Sequence, residues 1–201
     1  MQPLPAVNST LRKLRKTPFF VWLILGQSFI FVTAPAIAPP NEVVRLQSAL
    51  TVYMILTVAF MVLQKKKLPW MQATLNQGIA WFFVGFLVTA IVFSALNLQG
   101  FNLFQLTGPM YMIVFHTLVV ATSETFIFQG FLPHIITPVV AQGAFGIFHW
   151  ASYLGNWEAI GIAFIAGLVF YGLAVRFNIW LACGVHAGFN IGMLGILVGG
   201  G

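Results

Sequence analysis

Glu124 is one of only three acidic residues in the chain, and it lies deep within an apolar run from Pro109 to Gly130. A carboxylate at membrane depth costs about 2.5–3.5 kcal/mol on insertion scales, so its presence there needs a reason. Two later apolar runs carry His149 and the pair His186 and Asn190. Hydrolysis is the chemistry these four side chains can perform together. A carboxylate and an imidazole can share a water and take its proton as it attacks a carbonyl. A second imidazole and an amide can donate hydrogen bonds to the oxyanion that forms. Ser123 and Thr125 flank Glu124 but point to different helix faces, and the scheme needs no covalent nucleophile.

Other chemistries fit less well. Glu124, His149 and His186 resemble the His-His-carboxylate set of catalytic zinc sites, but no H-E-x-x-H helix is present and the ligands are divided among three runs. Aspartyl proteolysis is excluded because the chain has no aspartate. The nearest approach to a G-x-S-G nucleophile loop, Gly26-Gln27-Ser28-Phe29, lacks the second glycine and lies inside the first apolar run. A transporter would be expected to show Gly/Pro-broken spans in paired halves. The simplest non-catalytic reading makes all four residues interhelical hydrogen-bonding groups.

The elements that must hold these residues follow from composition. Of 201 residues, 60% are hydrophobic and 6% charged. Soluble domains carry about a quarter charged residues, so the expected class is all-α, a polytopic transmembrane bundle embedded in a lipid bilayer. Seven apolar segments run over 18–37, 46–64, 77–96, 108–132, 138–154, 157–175 and 178–198. Each approaches the ~20 residues of a helical span. They form one domain over 18–201, preceded by a basic cytoplasmic segment at 1–17. The first apolar run is long enough to span, and is read as a helix rather than a cleaved leader. The single cysteine, Cys183, excludes an intramolecular disulfide.

The net charge of +6 comes from basic residues beside apolar runs, not interleaved with aromatics. That placement reads as topology and anionic-lipid attraction, with no nucleic acid partner. With a cytoplasmic amino terminus, Arg12, Lys13, Arg15, Lys16, Lys65, Lys66, Lys67 and Arg176 lie inside and only Arg45 outside. Depth follows from the helical rise of about 1.5 Å per residue. Counted from the inner turns at Thr137-Pro138 and Asn178, Glu124 lies ~20 Å up, His149 ~17 Å, His186 ~12 Å and Asn190 ~18 Å. All four fall in one broad layer, with His186 and Asn190 on a shared helix face.

The motifs carrying these residues resemble those of a known family. Glu124-Thr125-Phe126-Ile127-Phe128-Gln129-Gly130 resembles the E-E-x-x-x-R-G motif of the CAAX prenyl protease and bacteriocin-processing family of intramembrane glutamic endopeptidases. Phe145-Gly146-Ile147-Phe148-His149 matches its F-x-x-x-H, and His186-Ala187-Gly188-Phe189-Asn190 its H-x-x-x-N. The resemblance covers roughly residues 105–195, about half the chain. It implies that Glu124 and His149 activate water, that His186 and Asn190 stabilise the oxyanion, and that no cofactor or metal takes part. It also implies a peptide or membrane-protein substrate cut near the cytoplasmic face, and a prokaryotic plasma membrane as the location. Thr125 and Gln129 stand where the family has its second glutamate and its arginine. A neutral pair in place of an ion pair leaves no unpaired buried charge, and a Thr125–Gln129 hydrogen bond is expected. An inactive relative, serving as a membrane scaffold or bacteriocin self-immunity protein, is the alternative.

The remaining singular residues have structural readings. Phe145 is expected to pack one turn below His149. His116 is expected near the outer side and His134 near the inner end of the fourth span. Trp22, Trp70, Trp81, Trp150, Trp157 and Trp180 suit interfacial anchors. Gly161, Gly167, Gly172, Gly184, Gly188 and Gly192 suit close helix approach.

Overall fold

The computed structural model describes residues 19–63, 75–98, 113–150 and 153–193. The basic clusters at 12–16 and 65–67, Trp70, most of the 97–107 break and the end of the last expected span lie outside the described residues. Within them the protein is all-helical, with seven helices and no strand. These are α1 (Phe19–Ile37), α2 (Pro40–Leu63), α3 (Leu75–Leu98), α4 (113–131), α5 (Pro138–Phe148), α6 (Trp157–Arg176) and α7 (Ile179–Met193). A short 3-10 turn, Leu132–His134, follows α4. Three helices contain stretches long and apolar enough to cross a membrane: Pro40–Phe60, Gln77–Leu96 and Trp157–Arg176. Their outward faces are apolar, with Val52, Ile55, Val84, Ile91, Ile165 and Val169 all exposed, as suits a lipid-facing surface.

Local chemistry sets the helix ends. Pro40 opens α2 at a position where its missing N–H costs nothing, so that helix begins six residues before the expected span. Pro138 does the same for α5, and the Thr137 hydroxyl accepts from the Val140 amide. Asn156 caps α6 by accepting from the Glu158 and Ala159 amides at 2.9 and 3.2 Å. Asn178 accepts from the Leu181 amide at 2.9 Å at the start of α7. Leu154 and Gly155 take positive φ, 50° and 74°, in the turn before Asn156. Glycine meets that geometry without strain; leucine does not.

One expected span is shorter than its apolar run. The α5 helix ends at Phe148, after 11 residues, where 138–154 was expected. Eleven residues rise only ~16 Å, about half the hydrocarbon thickness. The chain breaks there because the Leu154-Gly155-Asn156 turn and cap commit it to α6. His149 therefore stands at the C-terminal cap of a half-length helix, not in the middle of a full one.

The most extensive helix packing is between α3 and α7. Glycines make it close. A Cβ added at Gly85 would lie 2.9 Å from the Leu181 carbonyl oxygen and the Val185 amide. One added at Gly184 would collide with the Phe82 carbonyl. With α3 so near, α7 is fixed from behind and its opposite side turns His186 toward α4. Gly167, Gly188 and Gly192 also face close neighbours. Gly161 and Gly172 do not: among the described residues nothing lies within 4 Å of a Cβ added at either, so the expectation of close approach is not met there. Trp81, Trp150 and Trp157 are exposed, whereas Trp22 and Trp180 are half-buried and Trp180 packs against the core.

Candidate active site

Helix α4 carries the site and is irregular where it does so. Six residues, Phe115–Val120, and seven, Thr125–Phe131, form wide π-helical turns on either side of the α-helical Ala121–Glu124. Such turns are rare and recur at functional positions. Every residue from Ala121 to Phe131 is buried, including Thr122, Ser123, Glu124, Thr125 and Gln129. Buried polar groups in such a setting must find partners within the bundle.

Glu124 is 3% exposed, and its two carboxylate oxygens meet different surroundings. Oε1 accepts a hydrogen bond from the Tyr53 hydroxyl of α2 at 3.1 Å. Oε2 faces two imidazoles, with His149 Nε2 at 3.6 Å and His186 Nε2 at 3.7 Å. Both separations exceed a direct hydrogen bond, and Oε2 is buried with no hydrogen-bond partner among the described residues.

Each imidazole is held by its other nitrogen. His149 Nδ1 bonds the Phe145 carbonyl oxygen at 2.8 Å. A carbonyl only accepts, so the proton of neutral His149 sits on Nδ1 and Nε2 is the proton-exchanging atom. His186 Nδ1 shares a 3.0 Å hydrogen bond with the Thr125 hydroxyl, which fixes the ring without dictating its tautomer. The Phe145 ring stands edge-on to both imidazoles, at 4.7 Å from His149 and 5.6 Å from His186. Tyr153 stacks on His149 and Phe170 on His186, at 5.2 and 4.6 Å between centroids. Exposure separates the two histidines: the His149 side chain is 14% accessible and that of His186 2%. His149 is therefore the more accessible of the two imidazoles, and His186 is sealed.

Three of the four expected site residues, Glu124, His149 and His186, thus converge. Asn190 is half-buried, one turn beyond His186 on α7, and no hydrogen bond joins it to those three. The expected Thr125–Gln129 bond is absent. Thr125 bonds His186 instead, while Gln129 Nε2 donates to Gln142 Oε1 at 2.7 Å. The π-helical turns over Thr125–Phe131 explain the difference, because i→i+5 winding takes residues four apart off the face an α-helix would give them. Gln142 Nε2 in turn donates to the Phe128 carbonyl at 2.8 Å, tying α5 to α4. His116 is half-buried, its Nδ1 without a hydrogen-bond partner among the described residues, and His134 is exposed on the 3-10 turn.

Several participants were not foreseen. Tyr53 is the foremost. Gln27 and Thr57 are fully buried beside it, and Gln27 Nε2 donates to the Ser123 hydroxyl at 2.7 Å. Their sequence signal was slight: a glutamine inside the first apolar run, and Tyr53 with Thr57 one helical turn apart in the second.

The arrangement sets one carboxylate oxygen 3.6 and 3.7 Å from two imidazole nitrogens, which suits proton transfer within the cluster. Among the described residues no group of three or more His, Cys, Asp or Glu side chains is arranged to hold a metal ion. Comparison of the chain with protein-family models, with curated proteins and with solved structures finds no match in any of the three.

Proposed function

We propose that this protein is a membrane-embedded endopeptidase of the glutamic, CAAX-protease type, cutting a membrane-associated peptide or protein with a water activated by Glu124 and His149. The observation that carries this reading is the convergence of Glu124 Oε2 with the Nε2 atoms of His149 and His186, each ring held by its Nδ1. A water between Oε2 and His149 Nε2 gives up a proton to this pair as its oxygen attacks the peptide carbonyl carbon. The tetrahedral oxyanion is met by His186 and by Asn190, one turn along the same helix face. Collapse breaks the C–N bond, and the held proton passes to the leaving nitrogen. Substrate arrives on the side of His149, the most accessible of the three side chains.

In this reading the bundle crosses the membrane seven times from a cytoplasmic amino terminus, with α5 supplying a half-length helix to one crossing. The distribution of basic residues supports that orientation. The membrane is a prokaryotic plasma membrane, as the family resemblance implies. The test is cleavage of a pool of membrane-associated peptides by purified protein in liposomes, with and without a chelator. Chelator-resistant cleavage is expected; cleavage abolished by chelation and restored by zinc would overturn the metal-independent mechanism.

A second reading, a non-catalytic relative acting as a scaffold or self-immunity protein, draws on one observation. Thr125 and Gln129 are neutral where the resembled motif is charged, and each is engaged elsewhere. A silent wild type together with an active Thr125→Glu/Gln129→Arg variant would favour it.

A further inference from the structure

Helices α1 and α2 hold the Glu124 segment at two consecutive residues. Gln27 of α1 donates to the hydroxyl of Ser123, and Tyr53 of α2 donates to Oε1 of Glu124. The two contacts are themselves linked. Gln27 Nε2 also lies 3.5 Å from the Thr57 hydroxyl, and that hydroxyl donates to the Tyr53 carbonyl at 2.8 Å. Tyr53 is further fixed by packing against both hydrophobic clusters of the bundle, one around Phe126, Phe145 and Cys183, the other around Ile30, Leu50 and Val119.

We propose that Tyr53 is the positioning residue of the Glu124 carboxylate. Its phenol holds Oε1 and thereby keeps Oε2 turned toward the Nε2 atoms of His149 and His186. The inference rests on the reading of Glu124 as the water-activating group. A glutamate left to itself has a broad terminal torsion, so either oxygen could face the imidazoles, or neither. One bond to Oε1 from a ring anchored on another helix removes that freedom. A carboxylate oxygen can only accept and the phenol donates, so the bond is charge-assisted and directional. Tyr53 touches Glu124 rather than any reacting atom, and it acts through Glu124 alone. The catalytic layer is therefore not confined to α4, α5 and α7. The first two helices, which carry no hydrolytic residue, set the geometry of the base.

The composition makes this testable. Only Glu42, Glu124 and Glu158 carry side-chain carboxyl groups. Glu42 and Glu158 lie in the first turns of α2 and α6, outside the buried layer. The Glu124 infrared carboxyl band is identified as the one lost in Glu124→Gln. Tyr53→Phe removes a single oxygen atom and keeps the ring packing. It is expected to shift that band and, in liposome cleavage, to lower kcat roughly 10- to 100-fold with KM within about twofold of wild type. A merely structural tyrosine would not produce that split with the band shift. An unmoved band overturns the inference whatever the activity. A shifted band with unchanged kcat also overturns it. If the wild type cleaves nothing, the protease reading falls, and the band alone decides whether Tyr53 orients Glu124.

Discussion

Thr125 is the support for which the structure yields a magnitude. Its hydroxyl is the partner of His186 Nδ1 at 3.0 Å, and both residues are buried, Thr125 fully and His186 to within 2%. Thr125→Val replaces the hydroxyl with a methyl group of similar shape, so no cavity opens and the main loss is the hydrogen bond to His186, with a weaker contact to the Cys183 thiol. Hydrogen bonds between membrane-embedded helices average about 0.6 kcal/mol, with about 1.7 kcal/mol as the upper end. Stranding one buried partner costs more, about 1–3 kcal/mol, because the orphaned group cannot return to water. The second effect governs here, since the His186 ring is sealed between Phe170 and Phe145 and cannot turn outward. Destabilisation by about 1–2 kcal/mol is expected, and Thr125→Ser, which keeps the oxygen, should recover most of it. If instead the deficit appears only in the transition state, kcat falls roughly 5- to 30-fold. Reversible unfolding in mixed micelles, run beside peptide cleavage, separates the two. A valine variant equal to both wild type and Thr125→Ser in stability and turnover would show that the Thr125–His186 bond contributes to neither.

The α3–α7 seam predicts that Gly184→Ala loses about 1–3 kcal/mol by forcing the helices apart, as overpacking does. By contrast Gly161→Ala, facing open space within a helix, should be neutral or gain up to about 1 kcal/mol, and micellar unfolding of the two variants checks the difference. Gln142→Leu strands both the Gln129 amide and the Phe128 carbonyl, and should cost about 1–3 kcal/mol. Adding Gln129→Leu should recover part of that loss, so a double-mutant cycle should show coupling of about 0.5 kcal/mol or more, and strict additivity would contradict the pairing.

The central cluster was legible because chemistry and geometry pointed the same way. Glu124, His149 and His186 were the rare polar residues in long apolar runs, and helical rise placed them in one layer. The inner turns were equally readable: Thr137 and Asn178 each stand at an observed helix start. Tyr53 was not. Its contact with Glu124 spans 71 residues, and a tyrosine in an apolar helix looks like ordinary packing until the neighbouring helix is in place. The partners of Gln129 and Thr125 were missed for another reason. Their spacing was read on an α-helical wheel, whereas α4 winds more widely over Thr125–Phe131. The short α5 shows the same limit. Hydropathy marks an apolar stretch but not where backbone capping ends the helix, and here the turn at Leu154 and Gly155 intervened.

Water activation by Glu124 is tested most directly by the turnover of Glu124→Gln in liposomes beside wild type. The amide keeps the size of the side chain and can still bond Tyr53, but it cannot take a proton. The account predicts a loss of roughly 10²- to 10⁴-fold in kcat with unfolding stability close to that of wild type. Cleavage by Glu124→Gln at the wild-type rate would contradict it.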